Sequence, residues 1–234
     1  MLSGLHHAEP PLGAVRRFAA AALFVGAAAH TGFLAEVFVE TALSTNHEVP
    51  ARLASDGQPN AEVFRTLDVV AGAAFVLAGP FLLRLAPVHR WGRLTAALVW
   101  LYGAVLLTRA ALPPECLPQG AGRCADPTGR ISELPVLLAG VQYVVSPLVV
   151  ASWWRGSWKL ATRLSFAVQF GLWAWLVVAH VVFDSRFAGL AARTQILVAT
   201  ALFLVGVTYV VRMGTPRRTR RALPRTREVA PCPG

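Results

Sequence analysis

Ionisable side chains in this chain fall at a few places where apolar stretches begin or end. Glu36 and Glu40 stand four residues apart, Arg65 and Asp68 three apart, Arg109 closes one apolar run and Glu133 opens another. His180 and Asp184 share the i, i+4 spacing that puts two side chains on one helix face. Carboxylates, guanidinium groups and an imidazole gathered in one place can act in three ways. They can neutralise one another at helix ends, bind a lipid headgroup, ion or solute, or serve a hydrolase or transferase as general base or metal ligands. For a metal, His180 and Asp184 make half a site, and the only other imidazole within an apolar run, His30, lies deeper. The chain has no H-E-x-x-H pattern and no serine in a nucleophile elbow. No catalytic residue, metal or cofactor is therefore assigned, and mutual neutralisation fits these residues best.

The elements that must position them are hydrophobic helices. Of 234 residues 55% are hydrophobic and 15% charged, against about 25% charged in soluble domains. Apolar runs approach the roughly 20 residues that cross a bilayer as a helix, and no stretch alternates as a membrane β-strand would. The fold class is all-α, a polytopic bundle of six transmembrane helices over residues 18–38, 66–85, 94–112, 131–153, 164–183 and 194–213. A polar tail, 1–17, precedes it, and a basic tail, 214–234, rich in Arg and Pro, reads as disordered. Pro113-Pro114 stops the third helix, and Ser132 is placed to cap the fourth. Arg16-Arg17 before an Ala-rich run resembles a signal peptide, but the apolar run continues, as in a start-transfer helix.

Charge sets the expected orientation. The tails, the second and fourth links and the helix ends beside them carry 15 of the 22 basic residues. Only Glu9 and Glu228 of the 12 acidic residues lie there. The positive-inside rule puts both termini in the cytoplasm, and Trp91, Trp153, Trp154 and Trp158 suit the interface on that side. The net charge of +10 points away from nucleic acid, because seven basic residues crowd the last 23 positions beside an apolar helix. Arg217, Arg218, Arg220 and Arg221 are expected to meet anionic lipid. Arginine outnumbers lysine 21 to 1, as in a high-GC bacterial genome. The expected location is the bacterial inner membrane.

Cys116 and Cys124 share an outer loop without further Cys or His partners, and a disulfide between them is expected. Cys232, in the cytoplasmic tail, is expected to be free. Gly57-Gln58-Pro59, Phe64-Arg65, Asp68 and Ala71-Gly72, with Pro114-x-Cys116 and Cys124, resemble a bacterial six-helix membrane family named domain of unknown function 998. That family is similar at a distance to Frag and DRAM-type membrane proteins. Many of its members carry histidine after the cysteine pair, whereas residues 131–153 here have none. The resemblance implies a six-helix integral membrane protein and brings no activity with it. The expected function is a structural, accessory or lipid-binding membrane component. The alternative is a lipid-modifying enzyme or small-solute carrier that uses Glu36, Arg65, Asp68, Arg109, Glu133, His180 and Asp184 as an outer-leaflet site.

Overall fold

A computed structural model describes residues 12–41, 43–55, 58–86, 89–112, 127–182 and 187–212, without the side chains of 127–133, 180 and 181. Six helices run through them: α1 (Leu12–His30), α2 (Ala61–Leu85), α3 (Arg90–Ala111), α4 (Pro127–Ala151), α5 (Ser157–Val182) and α6 (Ala188–Arg212). All six, with α1 extended by a 3₁₀ segment Gly32–Val37, are long and apolar enough to span a membrane. The described residues contain no strand.

Most helices begin earlier than the apolar runs. α2 starts at Ala61, so Arg65 and Asp68 sit in its second turn and not at its border with a loop. α5 starts at Ser157, and α6 at Ala188, which brings Arg193 inside a helix. Ser132 lies inside α4, which already runs from Pro127, and not at its start. The reason is length. At about 1.5 Å per residue a 25-residue helix reaches about 37 Å, beyond a hydrocarbon core of about 30 Å, so polar residues extend the helix past the apolar run.

Each helix packs on its neighbours in sequence, and α6 closes the ring against α1. α2 is the most embedded, pressed between α1 and α3. At the α2–α3 crossing a Cβ on Gly72 would lie 2.8 Å from the Gly103 carbonyl oxygen, and one on Gly103 would lie 2.6 Å from that of Gly72. Such backbone approach is the usual way membrane helices gain packing energy. Ala19, Leu23, Ala71, Phe75, Tyr102 and Leu106 fill the core beside this contact. Large apolar groups, among them Phe24, Trp100, Leu148 and Phe170, face outward, as a surface bathed in hydrocarbon requires. The chain is thus a multi-pass helical membrane protein.

The two ends of the bundle differ. At one, residues 32–54 fold back as a cap, with a second 3₁₀ segment, Pro50–Ala54, whose Leu53 and Ala54 pack with Phe33, Phe64 and Ile196. The other is the basic end, where Trp154 stacks on Tyr209 with centroids 4.5 Å apart and Trp158 meets both edge-on. Cys116, Cys124, Cys232, Arg217, Arg218, Arg220 and Arg221 lie outside the described residues.

Candidate functional site

The Gly72–Gly103 contact draws α2 and α3 together about two to three turns from the cap end. Asp68, one turn before Gly72, is thereby set against Arg109, near the end of α3. Arg109 Nε donates to Asp68 Oδ2 at 2.8 Å, and Nη2 donates to Oδ1, making a two-pronged ion pair. The side chains are 11% and 13% exposed. Arg109 also sits in the last turn of α3, where a cation is favoured by the helix carbonyls.

A second fork forms beside it. Arg193 Nε and Nη2 donate to Glu36 Oε1 and Oε2, both at 2.7 Å. Its Nη1 donates to the carbonyls of Thr45 at 2.7 Å and Glu48 at 2.9 Å. The cap also touches α6 directly: Gly189 N donates to Asn46 O at 3.0 Å. A Cβ on Gly189 would lie 2.5 Å from the Thr45 carbonyl oxygen, so the strand of chain 45–48 rests on bare helix backbone. Arg193 clasps the cap to the bundle.

Arg65 takes neither pair. Its Nε donates to Ala54 O at 2.8 Å, and its Nη1 lies 3.3 Å from Glu62 Oε1. Of the expected outer-leaflet set, then, the structure joins Asp68 with Arg109, gives Glu36 to Arg193 and turns Arg65 to the cap backbone. The side chains of Glu133 and His180, and all of Asp184, lie outside the described residues.

Deeper in the bundle is a polar knot. His30 Nε2 lies 2.8 Å from Tyr102 Oη and 3.1 Å from Tyr143 Oη, and the two hydroxyls are 2.8 Å apart. Three mutually bonded groups from α1, α3 and α4 satisfy one another without water, which a buried polar group in a membrane requires. Phe75 and Phe203 pack on Tyr102 with centroids 5.6 and 5.7 Å away. Aromatic rings therefore plug the bundle at this depth.

Among the described residues a cavity lies to each side of this plug. The cap-side cavity, ≈ 30 Å³, is lined by His30, Asp68 and Arg109 among apolar cap residues such as Phe33 and Leu53. The basal cavity, ≈ 120 Å³ and partly open, runs from Phe203 to the tryptophan cluster between α1, α2, α3, α4 and α6. Its walls are almost wholly apolar, with Leu23, Val99 and Gly206 alongside Thr95, Gln142 and Ser146. Gln142 is occupied by a hydrogen bond to the Leu98 carbonyl, and Thr95 Oγ1 accepts from Trp153 Nε1 at 3.0 Å. A Cβ on Gly206 would meet nothing within 4 Å.

Sequence reasoning reads Tyr143 as an interhelical hydrogen-bonding residue, passes over Tyr102 and puts Arg193 in a link. A tyrosine in an apolar run looks like any other aromatic, and Arg193 stood in what read as a link. The basal cavity has no signal in sequence, since five helices contribute to it. Among the described residues no three His, Cys, Asp or Glu side chains are grouped to hold a metal ion. No family model, curated protein or solved structure matches the chain.

Proposed function

We propose that this chain is a lipid-binding accessory protein of the bacterial inner membrane, with both termini cytoplasmic, that takes a lipid hydrocarbon chain into the basal cavity. The observation that carries this reading is a partly open apolar cavity of ≈ 120 Å³, with Phe203 among its lining residues. Apolar pockets with few polar groups are the usual form of a site for a hydrophobic ligand. The paired charges of the cap end serve architecture in this reading, tying α2 to α3 and the cap to α6. Membership of the domain of unknown function 998 family, a Cys116–Cys124 disulfide in the outer loop and anionic lipid along the basic tail are parts of the same proposal.

The second reading, an enzyme or small-solute carrier working at the cap end, is favoured by one observation: His30, Asp68 and Arg109 line a common cavity. That cavity has room for about two waters, and Asp68 and Arg109 already satisfy each other. It suits hydration better than a solute.

The test uses Gly206, where a larger side chain enters open space. Purified full-length protein is expected to retain lipid after detergent washing, measured by extraction and mass spectrometry. Gly206→Leu is expected to fold equally well and retain several-fold less. Equal lipid content in the folded variant would refute the reading. The orientation has its own check, since a reporter active only in the cytoplasm should stay silent when fused after Gln119.

A further inference from the structure

Several polar groups in the wall of the basal cavity already have partners inside the protein. Thr95 Oγ1 donates to the Trp91 carbonyl at 2.9 Å and accepts from Trp153 Nε1 at 3.0 Å. The Gln142 side-chain amide donates to the Leu98 carbonyl. Trp154 differs from these. It lines the cavity, is 5% exposed, and its Nε1 is buried without a hydrogen-bond acceptor among the described residues. An indole N–H only donates, and buried donors normally find partners. The group missing at this wall is an acceptor oxygen.

The lining limits what kind of oxygen it can be. It contains no Asp, Glu, Lys or Arg, so a carboxylate or phosphate drawn inside would lose its hydration with no cation to replace it. A neutral carbonyl needs only the one donor. Depth narrows the choice further. Trp154 lies just beyond the end of α4 and stacks on Tyr209, in a tryptophan cluster of the kind that marks the headgroup level of a bilayer. From there the lining runs along α6 from Val210 to Leu202, about 12 Å of helix. That is close to the depth of one leaflet's hydrocarbon, about 15 Å. A glycerolipid holds its ester carbonyls near the headgroup level and runs its chains inward over that depth.

We infer that the basal cavity takes one acyl chain of a diacyl glycerolipid, with the ester carbonyl of that chain accepting a hydrogen bond from Trp154 Nε1. This inference rests on the lipid-binding reading above and goes beyond it by naming the bond that holds the ligand and the lipid class able to make it. The headgroup stays outside the cavity, so the site selects the linkage and not the headgroup.

The experiment titrates the detergent-purified full chain with a diacyl phosphatidylcholine or with its dialkyl ether analogue of the same chain length, which keeps the headgroup and chains and lacks both carbonyls. Bound lipid is counted by native mass spectrometry. The diester is expected to bind about fivefold more tightly, as one hydrogen bond to a neutral acceptor allows. Trp154→Phe keeps an aromatic ring and removes the donor, and should abolish that preference. Trp173→Phe, on the outer face of α5, should keep it. Loss of the preference there would make it a property of any lipid-facing tryptophan and overturn the inference. Gly206→Leu should lose both lipids. A quinone with an isoprenoid tail that displaces the diester at equal concentration would give the donor to a ring carbonyl and overturn the ester assignment. Equal affinity for diester and diether in the unaltered chain, or a preference that survives Trp154→Phe, overturns the ester assignment and leaves the cavity reading standing. The first of these comparisons needs no variant to fold. No binding of either lipid, or binding unaffected by Gly206→Leu, overturns both.

Discussion

The Asp68–Arg109 pair should be the costliest single polar contact to break, and a double-mutant cycle can show it. Both side chains are nearly nine-tenths buried, and the hydrogen bonds use two guanidinium nitrogens. With charge centres about 4 Å apart and an effective dielectric of about 20, attraction is worth about 4 kcal/mol. Removing one partner also strands the other charge at membrane depth, and breaking buried pairs this way costs about 3–5 kcal/mol. Arg109→Met and Asp68→Leu should each lose that much. The double variant leaves no charge to desolvate and should lie within about 2 kcal/mol of the wild type, giving a coupling of roughly 3 kcal/mol or more. The assay is reversible unfolding in mixed detergent micelles with rising dodecyl sulfate, following tryptophan fluorescence. Single losses below about 1 kcal/mol, or a double loss equal to their sum, would refute the argument that the two groups neutralise each other in a low-dielectric site.

Three further outcomes follow from the same geometry. Arg193→Lys keeps the charge but cannot hold the Glu36 fork and the two cap carbonyls together. It should cost about 2–4 kcal/mol and speed amide hydrogen exchange at residues 43–48, and exchange unchanged there would contradict the clasp. Tyr102→Phe removes one hydroxyl from the knot with His30 and Tyr143. Interhelical hydrogen bonds in membranes average about 0.6 kcal/mol and reach about 1.7, so the loss should fall near the upper figure, and a loss exceeding that of Arg109→Met would reverse the ranking proposed here. Gly72→Ala and Gly103→Ala push backbone against backbone and should each cost more than about 2 kcal/mol. Gly140→Ala and Gly171→Ala meet open space and should stabilise by up to about 1 kcal/mol, so similar values for all four would dispose of the close-approach argument.

How much of this was legible beforehand depended on the range of each interaction. Helix number follows from local composition, because an apolar run of about 20 residues has few other fates. Helix ends do not, since α2 and α6 gain a turn or more from residues such as Glu62 and Arg193 that no hydropathy window includes. The convergence of charges at one end was visible as Asp68 and Arg109. The Glu36–Arg193 pair was not: its members are 157 residues apart, and only the closure of α6 on α1 brings them together. Arg65 is instructive for the opposite reason. It stands three residues from Asp68, close enough to suggest a shared site, yet the roughly 60° by which three positions fall short of a full turn lets it reach the Ala54 carbonyl instead. The Tyr102–His30–Tyr143 knot joins three helices whose register sequence spacing cannot set.

The distribution of partners separates the two ends by physics. At the cap end the described acids and bases are nearly equal in number, four arginines against five carboxylates. Arg109 and Arg193 each hold a carboxylate by a fork. Charges balanced this way cost less to bury, and they leave little net field to draw a ligand in. The basic end has nine cations and no acid among its described residues. A sizeable apolar cavity reaches the tryptophan cluster at that end and has Trp154 with an unsatisfied donor in its wall. Balanced charge therefore marks where the bundle is tied together, and unbalanced charge beside apolar space marks where it has room for something else. A ligand that joined the cap end would have to break an ion pair worth about 4 kcal/mol, which an apolar chain entering the basal cavity, with no charged residue in its lining, does not require.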